Sequence, residues 1–359
     1  MKTKRGFLSR FLKILLLAIP LIVMLVVGAL GLLTLAEYQP DEVENVTVTA
    51  GARHAEASTG ERYKIVTLNT GYGGLGNQED FFMDGGTRVL PKNKAEVQDN
   101  LTNLLSALSL QSADICLLQE VDVDSNRSYW INEADQFSRG LSMGSAFAYN
   151  YRCAFVPFPW PPLGKVESGL LTLNNLAVTE ATRESLPVPF SWPLRIANLK
   201  RCLLVERMPL ANSDRELVMV NLHLEAYSSQ DGRKAQMEVL AKLLKAEASL
   251  GNYVIVGGDF NQSFPGALEK YPLPQETPWQ PGILSEDDLP DGFSFAYDLT
   301  TPTCRSLEAP YDGDRSSLVA YVIDGFIVSA NVKVNSVETY DLNFRNTDHQ
   351  PVAMEFTLQ

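Results

Sequence analysis

Three short stretches near the C-terminus, VGGDFNQ (256–262), VIDGFIVS (322–329) and TDHQPV (347–352), decide how we interpret this chain. Each stretch joins an apolar run, of the kind that forms a buried strand, to acidic, amide or imidazole side chains. A strand end with a purely structural role does not need so many groups that bind metals or transfer protons. The sequence therefore predicts a chemical site at the strand ends, built from Asp259, Asn261, Asp324, Asp348 and His349.

Three earlier runs follow the same pattern and add candidates to this site. YKIVTLN (63–69) ends in Asn69, ICLLQE (115–120) ends in Glu120, and LVMVNLH (217–223) carries Asn221 and ends in His223. The chain has only three histidines, and two of them lie in this set. Carboxylate and amide oxygens suit a hard cation, and imidazole suits proton transfer. The residues together indicate metal-dependent hydrolysis of a phosphoester.

The spacing of apolar residues predicts more strands than helices, with both in each half of the chain. Helical periodicity covers residues 93–110 and 232–250, and short apolar runs rich in β-branched residues lie between and after them. Two long stretches, 125–165 and 262–318, are expected to be irregular rims. This mixture predicts an α/β sandwich, in which two packed sheets have helices outside.

The N-terminus has the features of a membrane anchor. Residues 1–13 carry five Lys or Arg, and an uncharged apolar run covers residues 14–36. About 20 apolar residues are enough for a helix to cross a bilayer. The basic residues before the run predict that residues 1–13 stay in the cytoplasm. We therefore expect a single-pass protein of the cell membrane with its globular part outside the cytoplasm.

Other interpretations of the N-terminus were weighed. Thr34, Leu35 and Ala36 faintly resemble a signal-peptide cleavage site, but the apolar core of a signal peptide is usually shorter, about 7–15 residues. A soluble core helix is disfavoured because the run is apolar on all sides. Residues 37–61 are polar and acidic without helical periodicity, which predicts a flexible tether. The catalytic domain would then extend over residues 62–359.

Charge and cysteine content narrow the classes of partner. The net charge of −13 opposes non-specific binding to nucleic acid or to anionic membrane surfaces. A bound metal can still make a site locally cationic. The four cysteines include no C-x-x-C pair, so the spacing of zinc ligands is absent. We expect a monomer.

Taken in order, the six motifs resemble those of the endonuclease/exonuclease/phosphatase superfamily, whose members include pancreatic-type deoxyribonuclease, bacterial sphingomyelinase and inositol-polyphosphate 5-phosphatases. The resemblance covers residues 63–358 and implies a four-layer α/β sandwich of two mixed sheets flanked by helices. It also implies a Mg²⁺ cofactor, with Mn²⁺ as a substitute. The metal ligands would be Asn69, Glu120 and Asp348.

The resemblance assigns roles to the remaining candidates. Asp324 would fix the tautomer of His349, which would bind the phosphate or transfer a proton. Asp259 would orient or deprotonate the attacking water, and Asn261 would hold that water or a phosphate oxygen. His223 would be a second imidazole near the phosphate. Which group serves as acid and which as base stays open.

Departures from the pattern narrow the subfamily. Repair enzymes related to exonuclease III carry a basic residue soon after the metal Glu and Trp-Arg before the strand Asp, whereas here Glu120 precedes Val-Asp-Val-Asp and Asp324 follows Val-Ala-Tyr-Val-Ile. We therefore expect an extracytoplasmic phosphodiester hydrolase, with a lipid head group or small phosphodiester slightly favoured as substrate. The alternatives are a nuclease acting on DNA or RNA and a non-catalytic binding member of the family.

Overall fold

The structure is a computed structural model that describes residues 2–359, with side chains described from residue 11 onward. The described residues form five α-helices: α1 (Lys2–Leu35), α2 (Lys94–Gln111), α3 (Glu133–Leu141), α4 (Gln230–Leu250) and α5 (Ala267–Lys270). The strands are β1 (Val43–Asn45), β2 (Val48–Thr49), β3 (Arg62–Asn69), β4 (Ile115–Asp122), β5 (Gly144–Val156), β6 (Gly164–Asn174), β7 (Glu180–Ser185), β8 (Cys202–Pro209), β9 (Glu216–His223), β10 (Tyr253–Asp259), β11 (Gln262–Ser263), β12 (Gly282–Ile283), β13 (Phe293–Ala296), β14 (Cys304–Arg305), β15 (Ala320–Tyr321), β16 (Asp324–Ser329), β17 (Val332–Thr339) and β18 (Val352–Leu358).

Two seven-stranded sheets contain most of the strands. The first sheet has the order β17-β18-β3-β4-β6-β5-β2, and the second has the order β1-β7-β8-β9-β10-β16-β13. Both are mixed, because β3 and β4 run parallel in the first sheet and β9 and β10 run parallel in the second, while their other neighbours are antiparallel. The carboxyl ends of these four central strands therefore lie at the edges where ligands commonly bind.

Side chains along the central strands point alternately to the two faces of each sheet, and their packing on both faces produces the layers. In β3, Ile65 faces the core between the sheets, whereas Val66 packs outward against α2. In β9, Met219 faces the same core and Val220 packs outward in the cluster that contains α4. Because successive residues of a strand point to opposite faces, each sheet buries one face against the other sheet and the other face against helices. The layers are α2 and α3, the first sheet, the second sheet, and α4, which confirms the predicted four-layer sandwich.

Helix α1 precedes the sandwich. Its segment Phe11–Leu35 has 25 residues and a mean hydropathy of 2.9, and it is not buried inside the protein. At about 1.5 Å per residue this segment is long enough to cross a hydrocarbon core of about 30 Å. Met1 lies outside the described residues, as do the side chains at positions 2, 4, 5 and 10, on which the predicted orientation of residues 1–13 depends.

Residues 37–61 differ from the flexible tether that we predicted, because they pair with the domain. Strand β1 joins the edge of the second sheet beside β7, and β2 joins the edge of the first sheet beside β5. Val46 and Val48 pack against an apolar cluster formed by both sheets, and Ala57 bridges to Leu210. Val46 and Val48 of this acidic segment are thus partly buried, whereas Val43 stays 56% exposed. The ordered domain thus begins well before residue 62.

The predicted irregular stretch 125–165 is also wrong over part of its length. It contains α3 and the long strand β5, which forms a hairpin with β6. Half-exposed aromatic residues along β5, such as Phe147 and Tyr149, weaken the alternation that would have identified a strand. The stretch 262–318 carries only short elements, in agreement with the prediction.

Candidate active site

Strand pairing brings the predicted residues to one edge of the two sheets. In the second sheet, Asp259 at the end of β10 lies opposite His223 of β9 and opposite Asp324 at the start of β16. In the first sheet, Asn69 at the end of β3 lies opposite Gln119, one residue before Glu120. All eight predicted site residues therefore lie together, and we refer to Asn69, Glu120, His223, Asp259, Asn261, Asp324, Asp348 and His349 as the site.

The Asp259 carboxylate is the centre of the site. Its Oδ2 accepts a hydrogen bond from Asn69 Nδ2 at 3.0 Å and lies 3.5 Å from His223 Nε2 and 3.8 Å from His349 Nε2. Its Oδ1 accepts a hydrogen bond from the backbone N–H of Asn261 at 2.8 Å. Burial raises the pKa of Asp259 to about 7, and the nearby Asp324 carboxylate adds to the increase, while His349 opposes it. Asp259 can therefore exchange a proton near neutral pH.

Asp324 and His349 form a buried pair. The distance between His349 Nδ1 and Asp324 Oδ2 is 2.9 Å, and neither side chain is more than 5% exposed. Thr303 Oγ1 accepts the backbone N–H of Asp324 and fixes the start of β16. Burial is the largest single influence on the pKa of His349 and lowers it, but Asp324 first, and then Cys304 and Asp348, together outweigh burial, so the net pKa lies well above the ordinary value. His349 is thus an imidazolium at neutral pH.

His223 has the opposite protonation state. Its pKa is well below the ordinary value because of burial first, and then because Arg201 and His349 carry positive charge nearby. Arg201 donates to the backbone oxygen of His223 and forms an ion pair with Glu225, so this charge is fixed in place. The site therefore contains one charged and one neutral imidazole, both facing Asp259, which is a common arrangement for separate acid and base roles.

Glu120 is turned out of the sheet by an irregularity in β4. Its φ is +53°, and the pairing of β4 with β6 shifts register between Leu118 and Val121. A bulge of this kind redirects a side chain away from the pleat. Glu120 Oε1 accepts a hydrogen bond from Asn69 Nδ2 at 3.1 Å. Burial raises the pKa of Glu120; Arg127 lowers it and Asp348 raises it again.

The donor set fits a hard cation between Glu120 and Asp348. Their negative charges act on each other inside one buried region, and a divalent cation would offset both. Cys304 lies within reach of Asp348 and His349, but burial raises the pKa of its thiol to about 12, which disfavours the thiolate form. Asn69 Oδ1 accepts the backbone N–H of Gly71, so in this arrangement Asn69 orients Glu120.

Arg127 was not singled out from the sequence, and Asn221 has a different role from the one that its motif suggested. Arg127 binds both oxygens of Asp122 at 3.1 and 2.9 Å, stacks 3.8 Å from the centre of the Tyr72 ring, and acts on the charge of Glu120. Its position depends on the course of β4 beyond the bulge. Asn221, which lies in the same motif as His223, connects the two sheets instead. Its Oδ1 accepts a hydrogen bond from Gln119 Nε2 at 2.8 Å.

Asp84 and Tyr227 form a pair at the edge of the site that the sequence did not indicate. Tyr227 donates its hydroxyl to Asp84 Oδ1 at 3.0 Å. Burial raises the pKa of Asp84 to about 7, and the charges of Asp348 and Glu120 contribute to the increase. The hydrogen bond from Tyr227 lowers the pKa but does not cancel this effect. The two residues are 143 positions apart in separate loops, so no local pattern in the sequence could have joined them.

Comparison with solved structures finds proteins of the same fold. Solved structures with a similar fold include an endonuclease/exonuclease/phosphatase from Beutenbergia cavernae DSM 12333 (15% identity, TM-score 0.58, covering 83% of this chain and 72% of that chain). Others are an endonuclease/exonuclease/phosphatase from Bacteroides vulgatus (15%, 0.52, 83% and 100%) and D. rerio TDP2 complexed with single strand DNA product (16%, 0.50, 83% and 99%). At these identities the likeness shows the fold alone.

The sequence itself carries the family assignment. A search of curated proteins found no matching relative. The profile of the Endonuclease/Exonuclease/phosphatase family matches residues 66–344, which is well over half of the chain. The matched span holds six of the eight site residues, and Asp348 and His349 lie just beyond its end. This chain belongs to the Endonuclease/Exonuclease/phosphatase family.

Proposed function

We propose that the protein is a membrane-anchored, metal-dependent phosphodiester hydrolase. The observation that carries the proposal is the contact of one buried carboxylate, Asp259, with a charged imidazole, His349, and a neutral one, His223. Asp259 orients or deprotonates the attacking water. His349, held by Asp324 through Nδ1, binds a phosphate oxygen through its Nε2–H. A general acid–base pair of this kind typically contributes about 10²–10⁴-fold to the rate.

The cofactor in this proposal is Mg²⁺, with Mn²⁺ as a substitute. Glu120 and Asp348 would hold the ion, and Asn69 would keep Glu120 in place through its hydrogen bond. When bound, a divalent cation neutralises charge on the scissile phosphate and on the leaving oxygen. Arg127 supports the same arrangement, because its positive charge favours the ionised form of Glu120.

The substrate in this proposal is a lipid head group or a small phosphodiester. Two observations support it: the apolar segment Phe11–Leu35 could anchor the domain at a membrane, and the net charge of −13 opposes binding to a polyanion. The anchor would leave the domain outside the cytoplasm. Hydrolysis of DNA or RNA is the second candidate, since a structural neighbour, TDP2, was solved with a single strand DNA product.

Hydrolysis of a soluble chromogenic phosphodiester tests the proposal. The full chain in detergent should hydrolyse it with Mg²⁺ and should lose the activity in EDTA. Glu120→Gln should remove the activity, and Glu286→Gln, in an exposed turn, is the matched control. A full chain that is folded yet inert with both metals would establish the non-catalytic alternative. Parallel assays with sphingomyelin, phosphoinositides, DNA and RNA then separate the substrate classes.

A further inference from the structure

The junction between α1 and the domain is held by specific contacts. Trp192 Nε1 donates to Thr34 Oγ1, in the last turn of α1, at 3.1 Å. Glu37 lies between Arg195 and Lys200, with distances of 3.2 and 3.0 Å, and its side chain is only 1% exposed. A buried ion pair with two partners restricts motion far more than a polar linker would. The helix therefore meets the domain in a defined orientation.

Large apolar side chains are exposed around and beyond this junction. They lie in three segments: the turn before Asp84, the tip of the β5–β6 hairpin, and the loop after β7. Their exposed fractions range from 44% to 88%, and the largest belongs to Trp160. Clustered exposed apolar residues mark interaction surfaces. We call this set the apolar rim: Met83, Phe155, Phe158, Trp160, Trp192 and Leu194.

The three segments of the apolar rim are connected. The loop after β7 packs on the hairpin, since Tyr151 donates its hydroxyl to the backbone oxygen of Ala197 at 2.9 Å. At the hairpin tip, the ring of Phe158 lies edge-on to Phe82, with ring centroids 6.4 Å apart. Phe82 precedes Met83 and Asp84, and Asp84 accepts the hydroxyl of Tyr227 at the edge of the site. The rim thus extends from the end of α1 to the site.

We infer that the apolar rim seats in the interfacial layer of the bilayer that α1 spans, so that the site opens at the membrane surface and acts on phosphoesters carried by lipids. The inference rests on the anchoring in the proposed function. The bilayer is the occupant because α1 would enter it at the Trp192 end of the rim. Tryptophan also suits this layer, since its indole has a polar N–H beside an apolar ring, and phenylalanine adds apolar surface that enters the boundary of the acyl chains.

Probe depth in the membrane tests the inference directly. An environment-sensitive NBD label is placed at Trp160→Cys in the full chain, reconstituted in phosphatidylcholine nanodiscs with spin-labelled lipid. The four native cysteines are buried, so labelling is selective. Leu110→Cys, 84% exposed at the end of α2, is the matched control. We expect blue-shifted emission and several-fold stronger quenching at position 160 than at position 110. Equal, water-like signals at both positions would overturn the inference.

A second measurement concerns the substrate. Phe158→Ser with Trp160→Ser should reduce hydrolysis of a phosphodiester lipid in vesicles at least about tenfold, because two large apolar groups no longer enter the interface. Turnover of a soluble diester should not change, and Leu110→Ser should alter neither. Equal loss on both substrates would overturn the link between rim and lipid. If the protein hydrolyses no diester at all, the proposed function fails while the depth measurement still decides where the rim lies.

Discussion

Replacement of Asp324 by Asn is the sharpest perturbation of the site. The side chain keeps its shape and loses its charge, so His349 loses the carboxylate that lies 2.9 Å from its Nδ1. Both side chains are buried, and solvent screens their interaction little. We expect the pKa of His349 to fall, and with it the fraction of imidazolium available to bind a phosphate oxygen.

The size of the fall follows from the distance. Two unit charges about 4 Å apart interact by about 4 kcal/mol at the effective dielectric constant typical of proteins. One pH unit of pKa corresponds to about 1.36 kcal/mol, so an interaction of this size corresponds to roughly three pH units. Asp259 and Asp348 remain, at 3.8 and 3.9 Å from His349 Nε2, and sustain part of the increase. We therefore expect a fall of roughly one to two pH units.

Titration of the imidazole signals by NMR measures this change. The chain has only three histidines, so a histidine-labelled sample gives a simple spectrum. Substitution of His54 and of His223 assigns the signals. The basic limb of kcat/KM should move to lower pH by a similar amount. If Asp324→Asn leaves the titration of His349 where it is in the wild type, the two side chains are not coupled and the reasoning is refuted.

The same pair makes stability depend on pH. The pKa of His349 in the folded state lies above its unfolded value of about 6.5. Its contribution is therefore fully present below about pH 6.5 and disappears as the pH rises through the folded-state pKa. Breaking a buried pair costs about 3–5 kcal/mol. Asp324→Asn should thus lower the free energy of unfolding more at mildly acidic than at alkaline pH, as measured in urea.

Three further substitutions test other parts of the structure. Glu120→Gln should reduce Mg²⁺-dependent turnover about 10²–10³-fold without a change in the circular dichroism spectrum; turnover near the wild-type level would exclude Glu120 as a principal ligand. Gly258→Ala should lower the unfolding free energy by about 1–3 kcal/mol, because φ is +150° and a Cβ would lie 2.0 Å from the Leu222 oxygen. Gly60→Ala shares a positive φ, +81°, but has open space, so it separates the cost of the clash from that of the backbone, and its loss of unfolding free energy should be smaller. Glu37→Ala should expose residues 34–42 to proteinase K in nanodiscs, whereas the wild type should resist; equal cleavage would show that the ion pairs do not hold the junction.

The sequence predicted the central strands and the position of the site because both depend on local patterns. Short, continuous apolar runs in β3, β9 and β10 identified the strands, which are buried along most of their length, and their polar ends meet at one sheet edge. The bulge that turns Glu120 was not visible, because it depends on how β4 pairs with β6. Asp84 and Arg127 were also missed, because the tertiary course of the loops that carry them brings them to the site.

The segment 37–61 shows a second limit of sequence patterns. Its strands are two and three residues long, too short for any periodicity to indicate them. What makes them strands is the open edge of each sheet, which offers unpaired backbone groups to Val43 and Val48. Such pairing is a property of the partner strand, so an acidic stretch without periodicity was expected to be flexible.

These two short strands have a practical consequence for solubility. A chain shortened to begin at residue 62 would lack β1 and β2, which cover β7 and β5 at the margins of the two sheets. Bare sheet margins recruit other chains and favour aggregation. Proteolytic release of the domain at residue 62 would therefore yield a fragment prone to aggregation, while a cut nearer residue 36 would leave β1 and β2 in place on the two sheet edges. The residues that attach the domain to its helix also keep it from self-association.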